Sequence, residues 1–255
     1  MSEIDELHSL RKAFATGAYQ LVINEATNPG LRVSPGAQQE RKVYLYRAYV
    51  AQGRANMAVN EIRDSDPVEL RAVRALARKN PDEAQQLLSE GTPSPLLATI
   101  VASVLYNADR FDDVLKTLHP FKKNLEALAL TIQTLLKLNR LDLARKEVAA
   151  MKTWADDATQ AQLVEAWVNL FPAAEEKYNE AFYTFDELAS SNTATAKLLT
   201  SKAVSKIQSG KFAEAEELLA AALNWNNNEA EALINLIVCA NATGKPTEVV
   251  TRLTK

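Results

Sequence analysis

Two histidines, His8 and His119, and one cysteine, Cys239, are the residues whose types could hold a metal or attack a substrate. A zinc site needs three or four Cys, His or carboxylate ligands at short spacing, and neither histidine has such a set beside it. His119 precedes Pro120 at a predicted helix end, where a cation favours the helix dipole, so its role reads as structural. Cys239 lies in the apolar run Leu236-Ile237-Val238-Cys239-Ala240 and reads as a small core hydrophobe. The carboxylate pairs Asp112-Asp113, Asp156-Asp157 and Glu175-Glu176 could in type supply an acid and a base. They fall in polar helix starts or loops and read as partners of N-terminal dipoles. No Gly-rich phosphate loop, nucleophile elbow or HExxH helix occurs. The expectation is a protein that is not an enzyme, with no metal and no cofactor.

Arg71, Arg74 and Arg78 are spaced three and four apart and share a predicted helix face. The plain reading is a solvated face; the sharper one is a patch for an acidic partner or anionic headgroups. The bulk numbers bear on such partners. The chain has 255 residues, 47% of them apolar and 24% charged, with a formal net charge of −3. That balance excludes the basic footprint of a nucleic-acid binder. The first fifteen residues carry Glu3, Asp5, Glu6, Arg11 and Lys12 and lack the apolar core of a signal peptide. The longest near-continuous apolar run, Leu96 to Tyr106, is far short of the ~20 residues that span a bilayer. One cysteine permits no internal disulfide and suits a reducing compartment. Asn241-Ala242-Thr243 matches the glycosylation pattern and is read as unused.

The elements that position these residues are helices. Leu128, Ile132, Leu135, Leu136, Leu138, Leu141 and Leu143 recur three and four apart, as a buried helix face requires. Pro67, Pro81, Pro95 and Pro120 fall at breaks where a new helix can start. A longer period overlies this one. Gly210 and Gly244 are 34 residues apart, as are Ala181 and Ala215, Tyr178 and Phe212, and Phe185 and Leu219. A helix–turn–helix period of 34 is the tetratricopeptide signature. Physically, a turn residue reverses the chain, an aromatic or Leu packs on the first helix, and a small residue lets the helices approach. Earlier sets keep the phase with looser spacing: Gly17, Tyr19, Val22, Ala26; Gly53, Ala55, Ala58, Ile62; Pro81, Ala84, Leu88; Phe111, Val114, Leu118; and Leu141, Ala144, Val148. The predicted fold is all-α: a tetratricopeptide-like superhelical solenoid of antiparallel helix pairs, a single domain over 1–255 with about seven pairs.

The first helix of each pair lines the concave surface in such arrays. Phase then places Val43, Arg47, Val50, Thr99, Ser103, Tyr106, Gln133, Leu136, Thr200, Val204, Ile207, Ile234, Val238 and Asn241 in a partner-binding groove. So many aliphatics are costly to leave in water. They predict a stable protein partner over about 2,000 Å² or more. A one-residue error of phase would put some of them in the core between repeats.

Several segments carry a family likeness: Gly17-Ala-Tyr-Gln-Leu-Val-Ile-Asn-Glu-Ala26, Tyr44-Leu-Tyr-Arg-Ala-Tyr49, and Leu130-Thr-Ile-Gln-Thr-Leu-Leu-Lys-Leu-Asn-Arg-Leu-Asp-Leu-Ala-Arg-Lys-Glu147. Ala166-Trp-Val-Asn-Leu170, Ile234-Asn-Leu-Ile-Val238 and Gly244-Lys-Pro246 continue it. With these the sequence resembles the epsilon subunits of coatomer, the COPI vesicle coat. The resemblance implies a non-catalytic structural subunit that binds the C-terminal region of the coatomer alpha subunit, alongside other coatomer subunits. It implies Golgi-to-ER retrograde and intra-Golgi transport, and a cytoplasmic location, peripheral on Golgi membranes and COPI-coated vesicles, with membrane contact only through the coat. It also implies a C-terminus shorter than the family's. The alternative is a tetratricopeptide adaptor or co-chaperone for a linear peptide tail. That reading needs a repeated Lys/Asn clamp, which the groove residues do not supply.

Overall fold

Helices begin where the chain supplies a cap. In the computed structural model, which describes residues 5–30, 33–191 and 193–245, the side chains of Ser34, Asn80, Ser94, Asn124 and Thr195 each accept from a backbone N–H three residues on. These caps satisfy amides that have no partner inside the helix. Pro35, Pro81 and Pro95 occupy the first helical position, where their missing N–H costs nothing. Pro67 caps a helix start, and Pro120 lies in a short 3-10 turn, His119–Phe121. Glu3 and Pro246, named above, lie outside the described residues.

The described residues form fifteen α-helices and no strand. The first pairs are α1 (His8–Ala15) with α2 (Tyr19–Thr27), α3 (Pro35–Ala51) with α4 (Ala55–Glu61), and α5 (Val68–Arg78) with α6 (Pro81–Glu90). Next come α7 (Pro95–Asn107) with α8 (Phe111–Leu118) and α9 (Leu125–Lys137) with α10 (Leu141–Ala155), followed in the chain by α11 (Thr159–Asn169) and α12 (Glu175–Ser191). Last are α13 (Ala196–Gln208) with α14 (Phe212–Trp225), and α15 (Ala230–Ala242). The 26-residue step between Ala58 and Ala84 has a plain cause: α4 has only 7 residues and α5 only 11.

Where the sequence suggests one domain, the chain groups into two compact units. The first comprises Met1–Ala15 and Tyr19–Val164, the second Thr16–Ala18 and Glu165–Lys255. Within the first, α1 packs on α3, α3 on α5, α5 on α7 and α7 on α9. Its core is centred on α7, whose Leu97, Ile100, Val101 and Leu105 are fully buried. That explains the apolar run at 96–106: α7 touches α5, α6, α8 and α9, so it is apolar nearly all round. No helix among the described residues is long and apolar enough to cross a membrane. In the second unit α12 packs on α13, α13 on α14, and α15 on both α13 and α14.

The small position of every pair is closed. Val22, Ala58, Ala84, Val114, Ala144, Ala181 and Ala215 all have no exposed surface. The turns share one geometry as well. Gly53, Lys79, Asp109, Asn139, Gly210 and Gly244 have positive φ. The residue after each donates its N–H to a carbonyl five positions back: Arg54 to Tyr49, Asn80 to Ala75, Arg110 to Leu105, Arg140 to Leu135, Lys211 to Lys206 and Lys245 to Ala240. This 6→1 bond is the Schellman motif, which terminates a helix with one left-handed residue. Three of the six turns therefore carry a side chain where glycine is favoured. Lys79 at φ 54 is the most strained in type, since Asn and Asp tolerate the left-handed region better. Lys79→Gly is expected to raise stability by about 0.5–1 kcal/mol, the steric relief exceeding the added unfolded-state entropy. Urea midpoints at unchanged slope would show it.

Candidate partner-binding surface

The structure distributes the fourteen groove residues by depth. Val43, Thr99, Leu136 and Thr200 are buried. Thr99 and Thr200 turn their hydroxyls back to donate to the carbonyls of Pro95 and Ala196 on their own helices, at 2.7 and 2.8 Å. Ser103 does the same to Thr99 at 2.7 Å. Val50 and Tyr106 pack against the first unit's core, and Ile207 against the second's. Gln133 and Val204 are half-buried. Only the three on α15 are open: Ile234 is 59% exposed, Val238 43%, and Asn241 is exposed as well. The interior positions are filled because α3, α5, α7 and α9 pack in succession within the first unit and α13 packs on α15 in the second, so part of the expected groove face is inter-repeat seam.

Arg47 is a separate case. It sits on α3 at 6% exposure and forms an ion pair with Glu126 in the first turn of α9, 79 positions away. The Tyr44 hydroxyl donates to the same carboxylate at 2.9 Å. The guanidinium lies 4.5 Å from the centre of the Phe14 ring and 5.1 Å from that of Tyr44, within cation–π range. Burial opposes ionisation of Glu126. The Arg47 charge and hydrogen bond, with the Tyr44 hydroxyl, outweigh it and hold the carboxyl below its ordinary range. Tyr44 moves the other way, raised by burial and then by the Glu126 charge. Sequence reading placed Arg47 in a groove but missed Glu126. The available signal was an arginine flanked by tyrosines in Tyr44-Leu-Tyr-Arg-Ala-Tyr49, since a charge amid aromatics needs a counter-charge.

A carboxyl with a depressed folded pKa stabilises the fold while ionised. Its contribution is lost as pH falls through the window below the ordinary value of 4.5. Arg47 keeps its charge throughout. Stability of the native chain should therefore fall more steeply from pH 5 to pH 3 than that of Glu126→Gln, as read by urea unfolding across that range. Parallel slopes would contradict the assignment.

Beside this network a cavity of about 510 Å³ is lined by Tyr44 and Glu126, by His8, Arg11 and Glu40, and by the starts of α7, α9 and α11. Its charges are largely matched: Arg11 bonds Asp5 at 2.7 Å and Glu40 at 2.9 Å. His8 has no companion ligands, and no cluster of three His, Cys, Asp or Glu able to hold a metal occurs among the described residues. Cys239 is buried on α15, and burial, then the Glu216 charge, raises its thiol pKa. The arginine stripe is not a free cationic face. Buried Arg74 donates to the Ile62 carbonyl at 3.1 Å and bonds Asp64, Arg71 meets Glu90 at 3.3 Å, and Arg78 meets Glu83 at 3.7 Å.

What the surface offers is apolar area. In the second unit Phe171, Tyr183, Trp225, Ile234 and Val238 are all exposed, Trp225 by 61%. Beyond these exposed side chains, the comparisons with known proteins place the chain. The family described as Coatomer epsilon subunit matches residues 3–255. The chain belongs to the coatomer epsilon subunit family. It is 36% identical to Coatomer subunit epsilon of Caenorhabditis elegans, over 97% of this chain and 88% of that protein. It is 32% identical to Coatomer subunit epsilon-1 of Arabidopsis thaliana, over 96% and 86%. A solved tetratricopeptide repeat protein from Parabacteroides merdae superposes with a TM-score of 0.56 at 15% identity, covering 92% of this chain and 97% of that one. That likeness supports the all-α repeat fold. As a coatomer epsilon family member the chain is a non-catalytic subunit of the COPI coatomer and assembles with other coatomer subunits.

Proposed function

We propose that this coatomer subunit stabilises the coat by binding the C-terminal region of the alpha subunit, on the cytoplasmic side of Golgi membranes and COPI-coated vesicles. It would serve Golgi-to-ER retrograde and intra-Golgi transport, meeting the membrane only through the coat. The observation that carries the reading is the exposed apolar face of α15, Ile234 and Val238 with Asn241 beside them, in a chain of this family. Two large aliphatics one helical turn apart are suited to a lasting interface, whose core is more apolar than ordinary surface. Val50, Ser103, Tyr106, Gln133, Val204 and Ile207, which keep some exposure, extend the proposed surface within their own units; buried Val43, Arg47, Thr99, Leu136 and Thr200 support it from beneath.

Co-expression with the alpha subunit's C-terminal region is expected to improve soluble yield and to give a complex that survives gel filtration. Ile234→Asp with Val238→Asp should cut the affinity at least about tenfold, roughly 1.4 kcal/mol, with helix content unchanged by circular dichroism. Undiminished capture by the double variant would remove α15 from the interface. A robust monomer that ignores the alpha fragment would sink the proposal as a whole.

A further inference from the structure

We propose that Arg47 and Glu126 form an internal strap that holds α3 against the start of α9, so that the first unit opens when this ion pair is broken. In a repeat array each repeat contacts only its neighbours. Packing in this unit follows that rule, from α3 to α5, α5 to α7 and α7 to α9. The Arg47–Glu126 pair departs from it, tying the second helix pair to the fifth past two intervening pairs. Nothing in the repeat pattern requires that contact; two side chains supply it.

The bond is also of a kind that can be released. Arg47 is buried and cannot lose its charge. Its Nη2 pairs with Glu126, the carboxylate that offsets the cation, while its Nη1 has no hydrogen-bond partner. A buried pair forfeits hydration of both ions, and its attraction roughly repays that loss. Opening would return both to water, and the way in exists: Tyr44 and Glu126 line the 510 Å³ cavity, leaving the Glu126 side chain 19% exposed.

The distance between α4 and α10, the second helices of the two tied pairs, reports the strap. Nitroxide labels on Asn60→Cys and Lys146→Cys, both exposed positions, would be placed in the full chain carrying Cys239→Ala. Pulsed electron resonance should give one narrow distance distribution. Glu126→Gln should lengthen and broaden it, whereas Tyr44→Phe, which keeps both charges, should leave it as in the parent. A parent-like distribution in folded Glu126→Gln overturns the proposal, as does equal opening in Tyr44→Phe. If Glu126→Gln does not fold, Arg47→Gln takes its place: a lengthened distance supports the strap and a parent-like one refutes it.

Discussion

Glu126→Ala is expected to destabilise the chain by about 3–5 kcal/mol, the range for breaking a buried pair by removing one partner. The loss comes less from the missing bond than from what stays behind. Arg47 remains charged at 6% exposure between Phe14 and Tyr44. The cation–π contacts offset only about 0.5–2 kcal/mol, well short of the cost of an unpaired buried ion. Tyr44 also loses the acceptor of its hydroxyl. Adding Arg47→Met should recover much of the deficit, because an apolar side chain of similar reach asks for no counter-charge. Urea unfolding of the two single variants and the double gives the coupling directly. Additive effects would mean the two residues do not act as a pair.

Phe185→Ala is expected to cost a similar 3–5 kcal/mol by a different route, the loss of transfer energy plus the cavity left behind. Phe185 is the bulkiest of the fully buried side chains and lies on α12, which packs on α13. Its counterpart 34 residues on, Leu219, is equally buried. Leu219→Ala should cost about 2–5 kcal/mol. Phe185→Leu should be far milder than Phe185→Ala, since the position already accepts leucine one repeat later. Thermal or urea melts rank the three; Phe185→Leu falling level with Phe185→Ala would show that the aromatic shape is required.

The fold was readable because one helical face and one small position recur. The small residues chosen by spacing, from Val22 to Ala215, are all fully buried. The turns were only partly readable. Glycine marks Gly53, Gly210 and Gly244, but Lys79, Asp109 and Asn139 adopt the same left-handed backbone with side chains attached, a conformation that composition does not announce. The surface was less legible still. Phase can tell which residues lie on the first helix of a pair, but not how closely the next helix covers them. Thus Val43 is buried while Ile234, assigned by the same rule, is 59% exposed. The Arg71, Arg74 and Arg78 stripe misled for a related reason, because Asp64, Glu83 and Glu90 meet it from other segments.

The 79-residue separation between Arg47 and Glu126 has a consequence for unfolding. A string of helix pairs can nucleate anywhere and grow by local steps, with low contact order and rapid folding. A contact between residues so far apart in sequence adds a non-local tie to that local pattern. With that tie in place, the helices it spans, α3 to α9, are expected to unfold as one cooperative block rather than as separable turns of a spring.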